Sequence, residues 1–219
     1  MMPSSAKYLH VSWLLLLIIF SCTESEEITF TSYSSHTNDE LTGIYFWNSG
    51  EGFVVGGSTW NRAIRLSTND GGLTWQNDSL FDKQIFGLGY NNRGKVFGLG
   101  IEYMVYEFLQ QSTSRQRIGD YRFFRSLDFA QPDRILAVGG ESFGLGYLEE
   151  INALTGQTKQ ILKIDHELDA IQAVDENRWV IAGYGVVFYS EDAGMQWDTL
   201  DVSGDHYRDV FFVDEQTGF

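Results

Sequence analysis

Thr68-Asn69-Asp70-Gly71-Gly72-Leu73-Thr74-Trp75 and Ser190-Glu191-Asp192-Ala193-Gly194-Met195-Gln196-Trp197 are two copies of one pattern, hydroxyl-x-Asp-x-Gly-x-x-Trp. Each follows a run of β-formers, Ala63 to Leu66 and Val186 to Tyr189. The chemistry is that of a tight turn. Asp and Ser/Thr side chains accept hydrogen bonds from nearby backbone N–H groups. Glycine supplies positive φ, and the tryptophan is expected to fold beneath the turn and bury its apolar face. Thr68, Asp70, Gly72, Trp75, Ser190, Asp192, Gly194 and Trp197 are therefore assigned structural roles.

The pattern belongs to a longer repeat, whose period fixes the architecture. Leu41-Thr42-Gly43-Ile44-Tyr45-Phe46 is followed, after a polar turn, by Gly52-Phe53-Val54-Val55-Gly56. The layout recurs at Ile85 to Tyr90 with Lys95 to Gly98, at Ser126 to Phe129 with Ile135 to Gly139, and at Ala170 to Val174 with Trp179 to Gly183. A fifth copy starts at Asp209-Val210-Phe211-Phe212-Val213. The closing glycines Gly56, Gly98, Gly139 and Gly183 recur at intervals of 42, 41 and 44 residues. That is the length of a four-stranded propeller blade, roughly 40–50 residues. Helical solenoids share such periods, so the local pattern decides: short runs of Val, Ile, Phe and Tyr bounded by Gly, Asn and Asp. No stretch beyond residue 25 shows capped helical periodicity. The fold reading is all-β, a propeller of four-stranded blades starting near residues 41, 85, 124, 168 and 207.

The two turns resemble the Asp-box of β-propellers. Blade three retains only a relic, Asn152 to Thr158, and blade two has no recognisable box. Residue 219 falls in the second strand of a fifth blade, which would leave an apolar edge unpaired, and a propeller needs several blades to close its ring. The expectation is a C-terminally incomplete copy lacking two or three blades; an open or assembled half-propeller is the alternative.

Residues 1–21 read as a leader, with Lys7 and His10 ahead of an apolar run from Trp13 to Phe20. That run is too short for a span of about 20 residues. Ile19-Phe20-Ser21-Cys22 resembles a bacterial lipobox, and the resemblance implies lipidation of Cys22, the single cysteine of the chain. Two or more acyl chains give durable anchoring. A plain secretory leader with an incidental cysteine is the alternative. Thr23 after the cysteine favours the outer over the inner membrane, and 22–40 reads as an acidic, polar tether. The expected location is extracytoplasmic, on the cell envelope.

The formal net charge is −15, and loss of Lys7 with the leader leaves −16. Nucleic-acid binding needs a dense basic stripe, and none is visible. The histidines His10, His36, His166 and His206 lack metal-ligand spacing. Gly98-Leu99-Gly100 and Gly144-Leu145-Gly146 lack the third glycine of a dinucleotide fingerprint. No nucleophile elbow occurs, and Asp70 and Asp192 lack the further carboxylates of a calcium loop. No catalytic residue, metal or cofactor is assigned.

One aligned position carries chemistry. Blade starts place Arg125 opposite Arg208, with Asp169 in blade four and Thr42 in blade one. First strands line a propeller's central channel, so Arg125, Arg208 and Asp169 are expected to border a pocket for a carboxylate or peptide group, a task suited to arginine forks. Solvated loop arginines paired with local acids are the alternative.

The run from apolar strand through Gly52-Phe53-Val54-Val55-Gly56 to Asp70-Gly71-Gly72-Leu73-Thr74-Trp75 resembles the photosystem II stability/assembly factor type of propeller. The resemblance covers nearly all of Leu41 to Phe219, and it implies a non-catalytic assembly platform. The expected partners are an envelope protein or glycan. Sialidases and other glycoside hydrolases also carry Asp-boxes, so a secreted hydrolase is the alternative. A sialidase-like site would open with a Phe-Arg-Ile-Pro run, and none lies between Glu27 and Trp47.

Overall fold

The computed structural model describes residues 29–78, 83–119, 121–200, 202, 204 and 206–219. The leader and Cys22 lie outside them. Tyr33 to Phe219 forms one compact unit. It contains four antiparallel sheets of four strands, each laid down in chain order. The first sheet is β1 (Glu40–Phe46), β2 (Gly52–Ser58), β3 (Arg62–Thr68) and β4 (Gln76–Asn77). The second is β5 (Ile85–Tyr90), β6 (Val96–Gly100), β7 (Met104–Phe108) and β8 (Thr113–Arg117). The third is β9 (Phe124–Gln131), β10 (Arg134–Glu141), β11 (Leu145–Asn152) and β12 (Thr158–Ile164). The fourth is β13 (Leu168–Ala173), β14 (Trp179–Gly183), β15 (Val186–Ser190) and β16 (Asp198–Thr199). No helix occurs among the described residues.

Burial explains the sequence pattern. The second strands β2, β6 and β10 are buried almost throughout, which is why they read as continuous apolar runs rather than alternations. The fourth strands β4, β8 and β16 are polar and exposed, as safe edges must be. Apolar residues of successive sheets interleave. Phe53, Val55, Ile85 and Phe108 fill the first interface, Leu99, Phe124, Leu127 and Ile135 the second, and Leu136, Val138, Leu168 and Ile181 the third.

A polar link crosses each interface as well. Thr42 Oγ1 donates to the Ile85 carbonyl, and Asn91 Nδ2 donates to the Pro132 carbonyl at 2.7 Å. The Asp128 carboxylate accepts the Ala173 N–H at 2.8 Å, and Gln172 Oε1 accepts the Phe212 N–H at 2.6 Å. Burial pushes the Asp128 carboxyl above the usual carboxylate range, against the two backbone N–H groups it accepts. Beyond β16, Phe211 and Phe219 exchange backbone hydrogen bonds of 3.0 and 2.8 Å, forming the hairpin expected to open a fifth blade.

Candidate functional site

Every first strand carries one extra residue near its start. Leu41 pairs with Gly56 and Gly43 with Val55, leaving Thr42 bulged. Ile85 pairs with Gly100 and Gly87 with Leu99, leaving Phe86. Phe124 pairs with Gly139 and Ser126 with Val138, leaving Arg125. Leu168 pairs with Gly183 and Ala170 with Ala182, leaving Asp169. A β-bulge re-aims the side chain of its extra residue. The glycine opposite permits the close approach that the bulge demands. A methyl group on Gly139 would stand 2.8 Å from the carbonyl carbon of Phe123, and one on Gly56 would stand 2.9 Å from that of Glu40. The equivalent glycine in blade two is Gly100, not Gly98 as the sequence spacing suggested. The bulge sets the register, and Gly98 pairs with Leu88 inside the sheet.

The four bulged side chains meet around one cavity of about 790 Å³, together with Glu167, Ser142, Phe143, His206 and Arg208. The structure thus brings Arg125, Asp169 and Arg208 together. Arg125 donates to Glu167 at 2.9 Å and lies over the Phe86 ring, 5.2 Å from its centroid. Glu167 is itself buried and accepts the Phe143 N–H at 2.9 Å. His206 Nε2 sits 2.8 Å from Asp169 Oδ2. Arg208 is exposed at the rim and makes no ion pair among the described residues, and the Glu40 carboxylate, which also lines the cavity, accepts from the Gln84 amide rather than from a cation. The cavity combines both signs of charge with donors that can pair a carboxylate or a peptide group. Among the described residues, no cluster of three His, Cys, Asp or Glu side chains could hold a metal.

The two hydroxyl-x-Asp-x-Gly-x-x-Trp segments form closely similar turns. Thr68 Oγ1 accepts the Gly72 N–H at 2.9 Å and donates to Asp70 Oδ1, which accepts the Thr74 N–H at 2.9 Å. Ser190 and Asp192 repeat these contacts with Gly194 and Gln196. Gly72 and Gly194 have φ of 90° and 82°. The Thr74 hydroxyl, then the Thr74 N–H and the Thr68 hydroxyl, hold the Asp70 carboxyl down at about 2. Both tryptophans are half-buried rather than enclosed. Trp75 covers Val54, Ile64 and Leu66, and Trp197 lies over the cluster that contains Trp179. Among the described residues, the wholly buried tryptophan is Trp179 on β14.

Blade three closes its corresponding turn differently, with Asn152 Oδ1 accepting the N–H groups of Leu154 and Thr155. Sequence reasoning also missed Arg65, which is 3% exposed. Its guanidinium donates to the carbonyls of Leu109, Gln110 and Ser112 and to the Thr113 hydroxyl, clamping the β7–β8 turn to blade one. Arg122, which follows a tyrosine as Arg208 does, is tied to Glu149 at 3.1 Å and does not line the cavity.

No protein-family model matches the chain. No curated protein resembles it in sequence. Solved structures do resemble it in fold. YCF48 bound to D1 peptide, a photosystem II assembly factor, superposes with a TM-score of 0.59 at 16% identity, over 86% of this chain and 62% of that one. The WD40 β-propeller domain of Doa1 gives 0.56 at 13% identity, over 83% and 61%. The GH74 enzyme of Niastella koreensis gives 0.53 at 15% identity, over 69% of this chain and 28% of that one. The chain therefore spans about three fifths of the length of the first two. Four consecutive blades with sequential strand order and these neighbours together establish the fold: the chain is a β-propeller.

Proposed function

We propose that this chain is a non-catalytic binding scaffold that receives an acidic peptide segment of a partner protein at the axial cavity. The observation that carries the reading is the ring of bulged side chains, which brings Arg125 to the cavity that Arg208 also lines. Arginine at such a mouth suits carboxylate recognition. Within the cavity, Glu167 is paired with Arg125 and Asp169 is hydrogen-bonded to His206, which suits positioning more than general acid–base work. The neighbour bound to a D1 peptide supports peptide binding as the mode.

The same reading places the protein outside the cytoplasm, anchored to the envelope through acylated Cys22, with the acidic surface kept away from anionic headgroups. The test is fluorescence polarisation against a library of acidic peptides and their amidated counterparts. Binding that disappears on Arg125→Ala/Arg208→Ala supports the reading, and unchanged binding ends it. Metabolic labelling with a fatty-acid analogue tests the anchor: label that survives Cys22→Ser would refute it.

A further inference from the structure

The turn joining the second and third strands of every blade carries an aromatic residue: Trp60, Tyr103, Phe143 and Tyr184. These turns lie on the face where the first strands begin, because each second strand ends beside the start of the first. Two of the turns bend through consecutive left-handed residues that are not glycine. Glu102 and Tyr103 have φ of 63° and 60°, and Ser142 and Phe143 have 56° and 62°. Turns of this hand favour Asn-Gly, and a bulky residue there is strained.

The two strained aromatics differ in what holds them. Tyr103 is 3% exposed, its hydroxyl bonds Glu149 in the next blade, and its ring packs on Phe124 at 4.7 Å. Its strain is offset by burial. Phe143 is 60% exposed, and among the described residues its one ring contact is with another exposed ring, Tyr184, at 5.3 Å. What fixes its backbone is Glu167, the carboxylate that also pairs Arg125. Strain held in place by a site residue, without compensating burial, is a mark of function. Tyr184 continues the surface to His206 at 5.6 Å, and His206 reaches Asp169 inside the cavity.

We infer that Phe143 and Tyr184 form an aromatic shelf that recognises an aromatic side chain close to the acidic residue of the bound peptide. The inference rests on the peptide-binding reading of the cavity and adds a specificity to it. The occupant follows from continuity. Phe143 lines the same cavity as Arg125 and Arg208, so a side chain next to a carboxylate held by the arginines can rest on the shelf. Ring-on-ring contact favours an aromatic residue there over a polar one.

The test uses pairs of short synthetic peptides of equal charge, one with phenylalanine or tyrosine near its acidic residue and the other with alanine in that place. The aromatic member should bind about 10-fold tighter, a factor that one such aromatic contact can supply. Ser142→Asn/Phe143→Gly installs the residues the turn prefers. It should raise Tm while abolishing the difference between paired peptides. Equal binding of both members by the unaltered protein overturns the shelf but leaves the arginine site standing. So does a preference that survives in the variant. A variant with lowered Tm shows that Phe143 serves the fold and likewise overturns the inference. If neither peptide binds, the cavity reading falls and the shelf falls with it.

Discussion

Replacing Gly139 with alanine tests the link between fold and site. A Cβ there would stand 2.8 Å from the Phe123 carbonyl carbon and from the Phe124 Cα, and nearer still to the Phe123 oxygen. Ordinary contacts begin near 3.4 Å, and every offending atom is backbone, so no side chain can rotate away. β9 and β10 must part at the bulge, which strains the Gly140 N–H bond to the Phe123 carbonyl, now 3.2 Å. Overpacking costs about 1–3 kcal/mol, and the weakened hydrogen bond adds about 1 kcal/mol. The expected loss is therefore about 2–4 kcal/mol. For a domain of this size that corresponds to a fall in Tm of about 4–16 °C.

Gly94→Ala is the control. Its φ is +73° but nothing lies within 4 Å, so only the left-handed penalty of about 1–2 kcal/mol applies. Urea denaturation followed by tryptophan fluorescence measures both. Because the bulge aims Arg125, Gly139→Ala should also weaken acidic-peptide binding under conditions where the protein stays folded, and Gly94→Ala should not. A Gly139→Ala protein that loses no more stability than Gly94→Ala would refute the account of how the bulge forms.

Two further outcomes follow from the side-chain networks. Arg65→Ala strips three carbonyls and a hydroxyl of their charged donor. The adjoining cavity of about 600 Å³ admits water to them, so the cost should be about 2–3 kcal/mol rather than the full penalty for a broken buried network. Arg65→Lys should recover less than half, because an ammonium group cannot match the fork, and chemical denaturation of the pair checks both. In acid, Asp70 has a folded-state pKa of about 2, below the unfolded value of about 3.9. Its contribution is complete above about pH 4 and is lost as pH falls toward about 2. The Tm of Asp70→Asn should therefore fall less steeply than that of the unaltered protein between about pH 4 and 2. Asp128 acts in the opposite sense, since its raised pKa makes protonation favour the folded state. Parallel slopes for the two proteins would remove Asp70 from the acid response.

The repeat, the strand content and the chemistry of the two tryptophan turns were legible in the order of residues alone. Those features depend on contacts within a few residues: Asp70 reaches Thr74, and Asp192 reaches Gln196. That order also aligned Arg125, Asp169 and Arg208, because equal position in a repeat implies equal position around an axis. It took strand pairing in three dimensions to reveal that the axial position is a bulge, that Gly100 rather than Gly98 faces it in blade two, and that Phe86 completes the ring. Register depends on which backbone groups pair across strands, and local residue pattern constrains it only loosely. Arg65 and the shelf of Phe143 and Tyr184 were hidden for the same reason: their partners lie about 40 residues away, brought near by blades packing side by side.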